Sequence, residues 1–250
     1  MITPSLRYAR HHVLDGFGEE GQARLAKARV LVVGLGGIGS AAALYLASSG
    51  LGALSLNDFD TIDPTNLPRQ PLYEESDLGA RKAEAAARRL GTRFPELAVE
   101  ILPRRLEGEA LEAAVRASDL VLDASDNFPT RFALNASSVG AGRPLVVAAA
   151  LGYEIQLTTV DVRRGPGCYR CLFVEDSPED AFGDGCRRTG ILAPLAASAG
   201  TLAAAEAMRI LAGQEPAWRG RLVNLDARTG RLAATRYVPD PSCPVCGRRA

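Results

Sequence analysis

Lysine is nearly missing from this 250-residue chain: of 29 basic residues, only Lys27 and Lys82 are not arginine. Arginine therefore serves wherever a generic positive charge will do, and a surviving lysine marks a place that favours a compact ammonium. Net charge is missing as well, since 29 acidic residues balance the basic ones. The basic excess of nucleic-acid or anionic-membrane binders is therefore absent, and neither partner is expected. No apolar run approaches the roughly 20 residues of a membrane-spanning helix. Histidine is limited to His11 and His12, without an acidic or cysteine partner at metal-binding spacing, and no Ser-His-Asp constellation is visible. The opening Met1-Ile2-Thr3-Pro4 lacks a signal-peptide core, so a cytoplasmic protein is expected. Neither an internal repeat nor a low-complexity tract is found.

The five cysteines are grouped. Cys168-Tyr169-Arg170-Cys171 and Cys243-Pro244-Val245-Cys246 form two CxxC pairs, and Cys186 is left over. Four thiolates from two such knuckles suit tetrahedral zinc, and the odd count argues against disulfides.

Hydrophobic periodicity gives an alternation of strands and helices. An arm over residues 1–28 carries Arg7-Tyr8-Ala9-Arg10-His11-His12 and a short helix near Gly21 to Ala28. Strand Arg29 to Val33 runs into Gly34-Leu35-Gly36-Gly37-Ile38-Gly39, then a helix to Ser49, and strand Ala53 to Leu56 ends in Asp58-Phe59-Asp60. A long proline-rich connection, 61–79, precedes a helix that has Lys82 near its start. Strand Val99 to Leu102, helix Glu109 to Ala117, strand Leu120 to Asp123, helix Pro129 to Ala141 and strand Leu145 to Ala149 continue the pattern. The expected fold is a doubly wound α/β, mostly parallel Rossmann-like sheet. Beyond Gly152 the pattern changes to an alternating strand, the first cysteine pair, a polar and mobile loop over 173–190, a small-residue helix from Leu195 to Leu211, and strands near Arg221 to Leu225 and Leu232 to Val238. C-terminal antiparallel strands and a four-cysteine zinc site are thus expected to complete the fold.

The apolar run ending in GxGxxG is a phosphate cradle at a helix N-terminus, and Asp58 follows its last glycine by the spacing that puts a carboxylate on ribose hydroxyls. On its own that pair suits a nicotinamide cofactor. Asn66, Arg69, Gln70 and Lys82 after the second strand and Asp126 after the fourth point instead to a triphosphate with Mg²⁺, with cations for the phosphates and a hard oxygen ligand for the metal. Singly, Arg69 and Lys82 read as solvated charges and Asp126 as the N-cap of the next helix.

Taken in order from Arg7 to Gly247, GLGGIGS, Asp58-Phe59-Asp60, Asn66-Leu67-Pro68-Arg69-Gln70, Lys82, Asp123-Ala124-Ser125-Asp126-Asn127 and the two CxxC pairs resemble the ThiF/MoeB/HesA family, bacterial relatives of ubiquitin-activating E1 enzymes. The resemblance implies ATP-dependent adenylation of the C-terminal Gly-Gly carboxylate of a ubiquitin-like sulfur-carrier protein of the ThiS or MoaD kind. It implies that Gly34, Gly36, Gly37 and Gly39 form the nucleotide loop, that Asp58 holds the ribose, and that Asn66, Arg69, Gln70 and Lys82 surround the phosphates. Asp126 would serve Mg²⁺, and Arg10 would reach the ATP of the neighbouring subunit, which implies a homodimer. It further implies one E1-like adenylation domain over 1–250, with a nucleotide-binding half at 29–150 and a carrier- and zinc-binding half at 151–250. Cys186, between Gly185 and two arginines, matches a cysteine that in some relatives bonds to the activated carrier, and a small buried side chain is the alternative. Tyr153-Glu154-Ile155-Gln156 departs from the Gly before Gln of relatives. No rhodanese-like domain follows, so a separate sulfur donor, such as a cysteine desulfurase or a rhodanese, is expected. The competing readings are a tRNA-modifying ATP-dependent dehydratase of the same superfamily, an NAD-dependent oxidoreductase, and an inactive carrier-docking subunit.

Overall fold

The structure, a computed structural model, describes residues 4–163, 165–173 and 190–247; Cys186 and most of the polar loop around it lie outside them. Helices α1 (Pro4–Arg7), α2 (Ala9–His12) and α3 (Gly18–Leu25) form the arm. There follow β1 (Arg29–Val33), α4 (Gly37–Ser48), β2 (Ala53–Asn57), α5 (Lys82–Arg93), β3 (Ala98–Leu102), α6 (Gly108–Arg116), β4 (Leu120–Asp123) and α7 (Phe128–Ala141). The second half holds β5 (Leu145–Leu151), β6 (Glu154–Val160), α8 (Tyr169–Leu172), α9 (Ala193–Leu211), β7 (Arg221–Asp226) and β8 (Arg231–Arg236). The expected elements are all present, with ends displaced by a few residues. The one-turn helices α1, α2 and α8 were not expected, because so short a segment carries no periodic signal.

The strands form one eight-stranded sheet in the order β3-β2-β1-β4-β5-β6-β7-β8. Neighbours from β3 through β5 are parallel, and β5 through β8 are antiparallel. Alternate residues of β1 feed opposite faces: Val30 and Val32 join a core with Leu46, Leu90 and Ala203, while Leu31 and Val33 join one with Val115, Leu134 and Tyr169. Burial on both faces explains why the central strands read as continuous apolar runs. It also explains why the alternation expected for β6 fades after Gln156, where Leu157 through Val160 are all buried.

Small residues set the closest packing. Helix α9 lies against α4, and a Cβ at Gly200 would come within 2.2 Å of the Ile38 carbonyl oxygen. The alanine-rich stretches of both helices are thus the means by which their backbones approach. Glu206 on α9 is 2% exposed, and its carboxyl oxygens accept from the Thr159 hydroxyl at 2.8 Å and from the N–H groups of Trp218 at 3.0 Å and Ala217 at 3.1 Å. Glu206→Leu strands three donors at once. Of these only the Thr159 hydroxyl is fully buried, and an orphaned buried group costs about 1–3 kcal/mol, so the denaturant midpoint should fall by an amount corresponding to at least about 1 kcal/mol, and an unchanged midpoint would refute this role.

The proline-rich connection after β2 is ordered by its own side chains. Asp63 caps a 3₁₀ turn at Pro64–Arg69, and a second turn covers Glu75–Asp77. Asp77, nearly fully buried, accepts from the Glu74 N–H and from Arg88 and Arg89 of α5. Burial pushes its carboxyl up, but these donors outweigh it and hold the group below the usual carboxylate range. This anchorage fixes where α5, and therefore Lys82, begins.

Candidate functional site

Strand register assembles the site. Val33 pairs with Asn57 of β2 on one side and with Asp123 of β4 on the other. The residues that follow, Gly34, Asp58 and Ala124, therefore leave the sheet side by side at its carboxyl edge. The chain goes from β1 to β2 and β3 in one direction and returns to β4 on the other side of β1. Open α/β sheets bind ligands in the crevice made by such a reversal.

The glycine loop is shaped by close approach. Gly34 has φ +86°, and a Cβ there would meet the Ala124 carbonyl oxygen at 2.7 Å. A Cβ at Gly39 would lie 1.8 Å from the Gly34 carbonyl oxygen, so only glycine lets α4 turn back onto β1. Gly37 packs against Ala196 and the Arg69 backbone. Gly36 is different: a Cβ there would meet only Gln70 Nε2, at 3.7 Å. Gly36 is also the N-cap of α4 and offers no capping side chain. The first N–H groups of the helix are thus left for an anion.

Leu35, between these glycines, is pinned at both ends. Its N–H donates to Asp58 Oδ2 at 2.7 Å, and its carbonyl accepts from the Tyr73 hydroxyl at 2.9 Å. Tyr73 is buried, and burial pushes its phenol well above the ordinary value. Asp58 also accepts from the Asp60 N–H at 2.8 Å. Burial raises its carboxyl above the usual range, against the opposing pull of Lys82 and of these two N–H groups.

Lys82 opens α5 with its side chain 9% exposed, and its ammonium lies 2.9 Å from Asp60 Oδ2. It is not the solvated charge that the residue alone suggests. Asp60 is mostly exposed and can release the ammonium to a stronger anion. Gln70 is 2% exposed, and its Oε1 has no hydrogen-bond partner among the described residues. An orphaned buried acceptor fits a missing hydrogen-bond donor, while Nε2 of the same amide lies toward the open Gly36. Arg69 lies with its stem over Gly37 and donates to the Thr65 carbonyl at 2.6 Å. Asn66 is buried and completes the cap of its own turn, its Oδ1 accepting from the Asp63 N–H at 3.3 Å.

Asp126 is exposed at the end of β4 and accepts from Asn127 Nδ2 at 3.3 Å. It is not the N-cap of α7. That place belongs to Asn127, whose Oδ1 accepts from the Thr130 N–H at 3.0 Å, and Asp126 is left facing solvent. Arg10 is not brought to the loop by its own chain. Its helix packs beside α3, where His11 meets Gln22 and Gln22 bonds the Ser49 carbonyl. That is the far end of the twelve-residue α4, about 18 Å from the glycine loop.

The four paired cysteines converge from segments 75 residues apart, with all their sulfur atoms within 4.8 Å of one another. Cys168 and Cys243 sulfurs are 3.7 Å apart, and those of Cys171 and Cys246 are 3.4 Å apart. A tetrahedral zinc with about 2.3 Å bonds sets its sulfurs about 3.8 Å apart, so the donor set and its spacing fit that ion. Burial pushes the Cys168 and Cys246 thiols up, while the N–H groups of Cys246 and Val245 outweigh burial at Cys243 and draw its thiol down.

Sequence reasoning missed Asp60 and Tyr73. The Asp-Phe-Asp ending flagged the former; a tyrosine within a polar connection gave no signal.

Residues 8–245 match the model of the ThiF family. The chain is similar to the SAMP-activating enzyme E1 of Haloferax volcanii, 43% identical over 96% of this chain and 88% of that one. It is 40% identical to the molybdopterin-synthase adenylyltransferase of Escherichia coli, over 97% and 96% of the two chains. For the sulfur carrier protein ThiS adenylyltransferase of the same organism the values are 39%, 97% and 95%. The backbone superposes on the crystal structure of E. coli MccB with ATP at a TM-score of 0.83 and 26% identity, covering 96% of this chain and 73% of that one.

Proposed function

Because the chain belongs to the ThiF family, we propose that it uses ATP to adenylate the C-terminal Gly-Gly carboxylate of a ubiquitin-like sulfur-carrier protein, preparing it for thiocarboxylate formation. Its relatives at about 40% identity are adenylyltransferases named for carriers or for molybdopterin synthase. The observation that carries the reading is the crevice around Leu35, where pinned loop amides, the buried Lys82 ammonium and the Gln70 amide share one carboxyl edge.

The chemistry asks little of a general base. A carboxylate already ionised at neutral pH attacks the α-phosphorus; the bond from that phosphorus to the bridging oxygen breaks, and pyrophosphate leaves with the electron pair. Catalysis is then positioning and charge stabilisation. The N–H groups at the α4 N-terminus and Gln70 Nε2 donate to phosphate oxygens, Lys82 exchanges Asp60 for the phosphates, and Arg69 and Asn66 close the same side. Asp58 keeps the loop in shape and turns its remaining acceptor capacity to the ribose. Asp126 is the oxygen ligand on offer for Mg²⁺, which when bound would neutralise phosphate charge.

Arg10 acts in the site of a second subunit. Its place at the far end of α4 supports this, since it has no route to the loop of its own chain. Zinc in the four cysteines ties the tail to α8, and a reducing compartment such as the cytoplasm suits those thiolates. Among the described residues, no helix is long and apolar enough to cross a membrane. Sulfur comes from a separate donor protein. Cys186, outside the described residues, is kept as a candidate for the covalent carrier intermediate.

ATP–pyrophosphate exchange, measured with each Gly-Gly-ended carrier from the same genome, tests the reading. Exchange with at least one carrier, lost when its terminal glycine is removed, is expected; exchange with none refutes it. Tight NAD binding without need of Mg²⁺ would favour the oxidoreductase instead.

A further inference from the structure

Helix α7 has an unusual buried face. Arg131 and Asn135 are one turn apart on it and project to the same side. Toward the nucleotide crevice, Arg131 Nη2 donates to the Ser125 carbonyl at 2.7 Å, next to Asp126. The Ser125 N–H and hydroxyl in turn bind Asp123 Oδ1 at 2.9 and 2.6 Å. Toward the cysteines, Arg131 Nη1 approaches the Tyr169 hydroxyl at 3.5 Å. Asn135 is fully buried with both amide ends used: Oδ1 accepts from the Tyr169 N–H at 2.9 Å, and Nδ2 donates to Cys168 Sγ at 3.5 Å. Asp123 Oδ2 and Arg131 Nε, both enclosed, have no hydrogen-bond partner among the described residues, and the Arg131 guanidinium is the cation that acts on the buried Asp123 carboxyl. The ring of Tyr169 is itself fixed between Phe173, at 4.8 Å, and Phe132, at 5.9 Å.

A packed path thus runs from the loop of Asp126 through Ser125, Arg131, the hydroxyl, ring and backbone N–H of Tyr169, and Asn135 to a cysteine ligand. Neutral thiols give Asn135 only a weak acceptor, and Cys168 then meets the tail only through apolar packing and a weak sulfur contact with Cys243. A metal-bound thiolate is a strong acceptor that holds Asn135 in one orientation, and with it Tyr169, the guanidinium and the Ser125 carbonyl. We infer that Arg131, Asn135 and Tyr169 are positioning residues that couple metal binding at Cys168, Cys171, Cys243 and Cys246 to Mg²⁺-ATP binding at the Asp126 loop. The cysteine cluster then sets nucleotide affinity as well as anchoring the tail. This rests on the ATP and zinc readings above.

Tyr169→Phe is the discriminating variant, because it deletes one hydroxyl and keeps the ring packing, the backbone N–H and every metal ligand. Equilibrium binding of a non-hydrolysable ATP analogue with Mg²⁺ is measured on zinc-loaded wild type, zinc-loaded Tyr169→Phe, and each protein after chelation, with zinc content and thermal midpoint recorded alongside. Coupling between sites typically spans about 5- to 150-fold. On that scale, zinc-loaded wild type is expected to bind about tenfold more tightly than the chelated protein, and zinc-replete Tyr169→Phe to bind like the latter. Competition with a chelator should show the wild type holding zinc more tightly, by the same factor, when the analogue is present. A purely structural hydroxyl would lower the thermal midpoint and leave nucleotide affinity alone. Folded, zinc-replete Tyr169→Phe with wild-type affinity overturns the coupling, and this result does not require the metal-free protein to stay folded. Wild type that binds both ligands independently also overturns it while the site assignments stand. Wild type that binds neither overturns the assignments and the coupling with them.

Discussion

Carrier-dependent ATP–pyrophosphate exchange should fall by at least about 10²- to 10³-fold in Lys82→Ala, the scale on which a single preorganised donor to a transition-state charge acts. The ammonium is held at 9% exposure beside Asp58 and Asp60. There it lies at the crevice and is screened far less than a surface charge. The protein itself should stay folded. The ion-pair partner lost, Asp60, is mostly exposed, and the buried Asp58 keeps the Leu35 and Asp60 N–H donors, so a modest fall in the thermal midpoint without unfolding is expected. Lys82→Arg should not restore the rate, since a planar guanidinium cannot occupy the space of a compact ammonium. Lys82 is also the cation that opposes the effect of burial on Asp58, so its loss should push that carboxyl still higher. Exchange at the wild-type rate in a folded Lys82→Ala protein would remove the residue from the reaction.

Cys243→Ser should abolish stoichiometric zinc and release the C-terminal tail. Cys243 is 2% exposed and its sulfur is 3.7 Å from that of Cys168, so a shorter, harder serine oxygen cannot complete the tetrahedron. A bound ion at roughly a thousand times its Kd stabilises the native state by about 4 kcal/mol, and that much should vanish from the unfolding free energy. Proteolysis should begin after β8, at 237–247, while fragments containing β1 through β5 persist, because both cores form around the parallel strands. Chelation of the wild-type protein should reproduce the variant, and chelation of the variant should change nothing. Wild-type protein that carries no zinc, with a midpoint indifferent to chelator, would end the zinc assignment.

Asp60 and Tyr73 show why part of the site escaped sequence reading. Each is recognisable only by what it touches: Asp60 by an ammonium 22 residues away, and Tyr73 by the carbonyl of a loop 38 residues earlier. Asp126 gives the opposite case. As a residue type it suited both an N-cap and a metal ligand, and the adjacent Asn127 took the cap. Arg10 was placed in the site by resemblance, and the arm packs it at the wrong end of α4 for its own chain.

By itself the sequence determined what depends on local spacing. The apolar periods set the strands and helices, the GxGxxG run set a tight turn onto a helix N-terminus, and each CxxC set a pair of sulfurs on one knuckle. These are decided by residues within a turn or two, where chain geometry leaves few choices. Only the tertiary structure decided which separate pieces meet. The register of β1 with β2 and β4 put Gly34, Asp58 and Ala124 in one row, loop closure over 75 residues brought the knuckles together, and burial left Gln70 Oε1 and Asp123 Oδ2 without partners among the described residues. Such juxtapositions are fixed by packing a whole sheet between its helices, and no short window of sequence contains them.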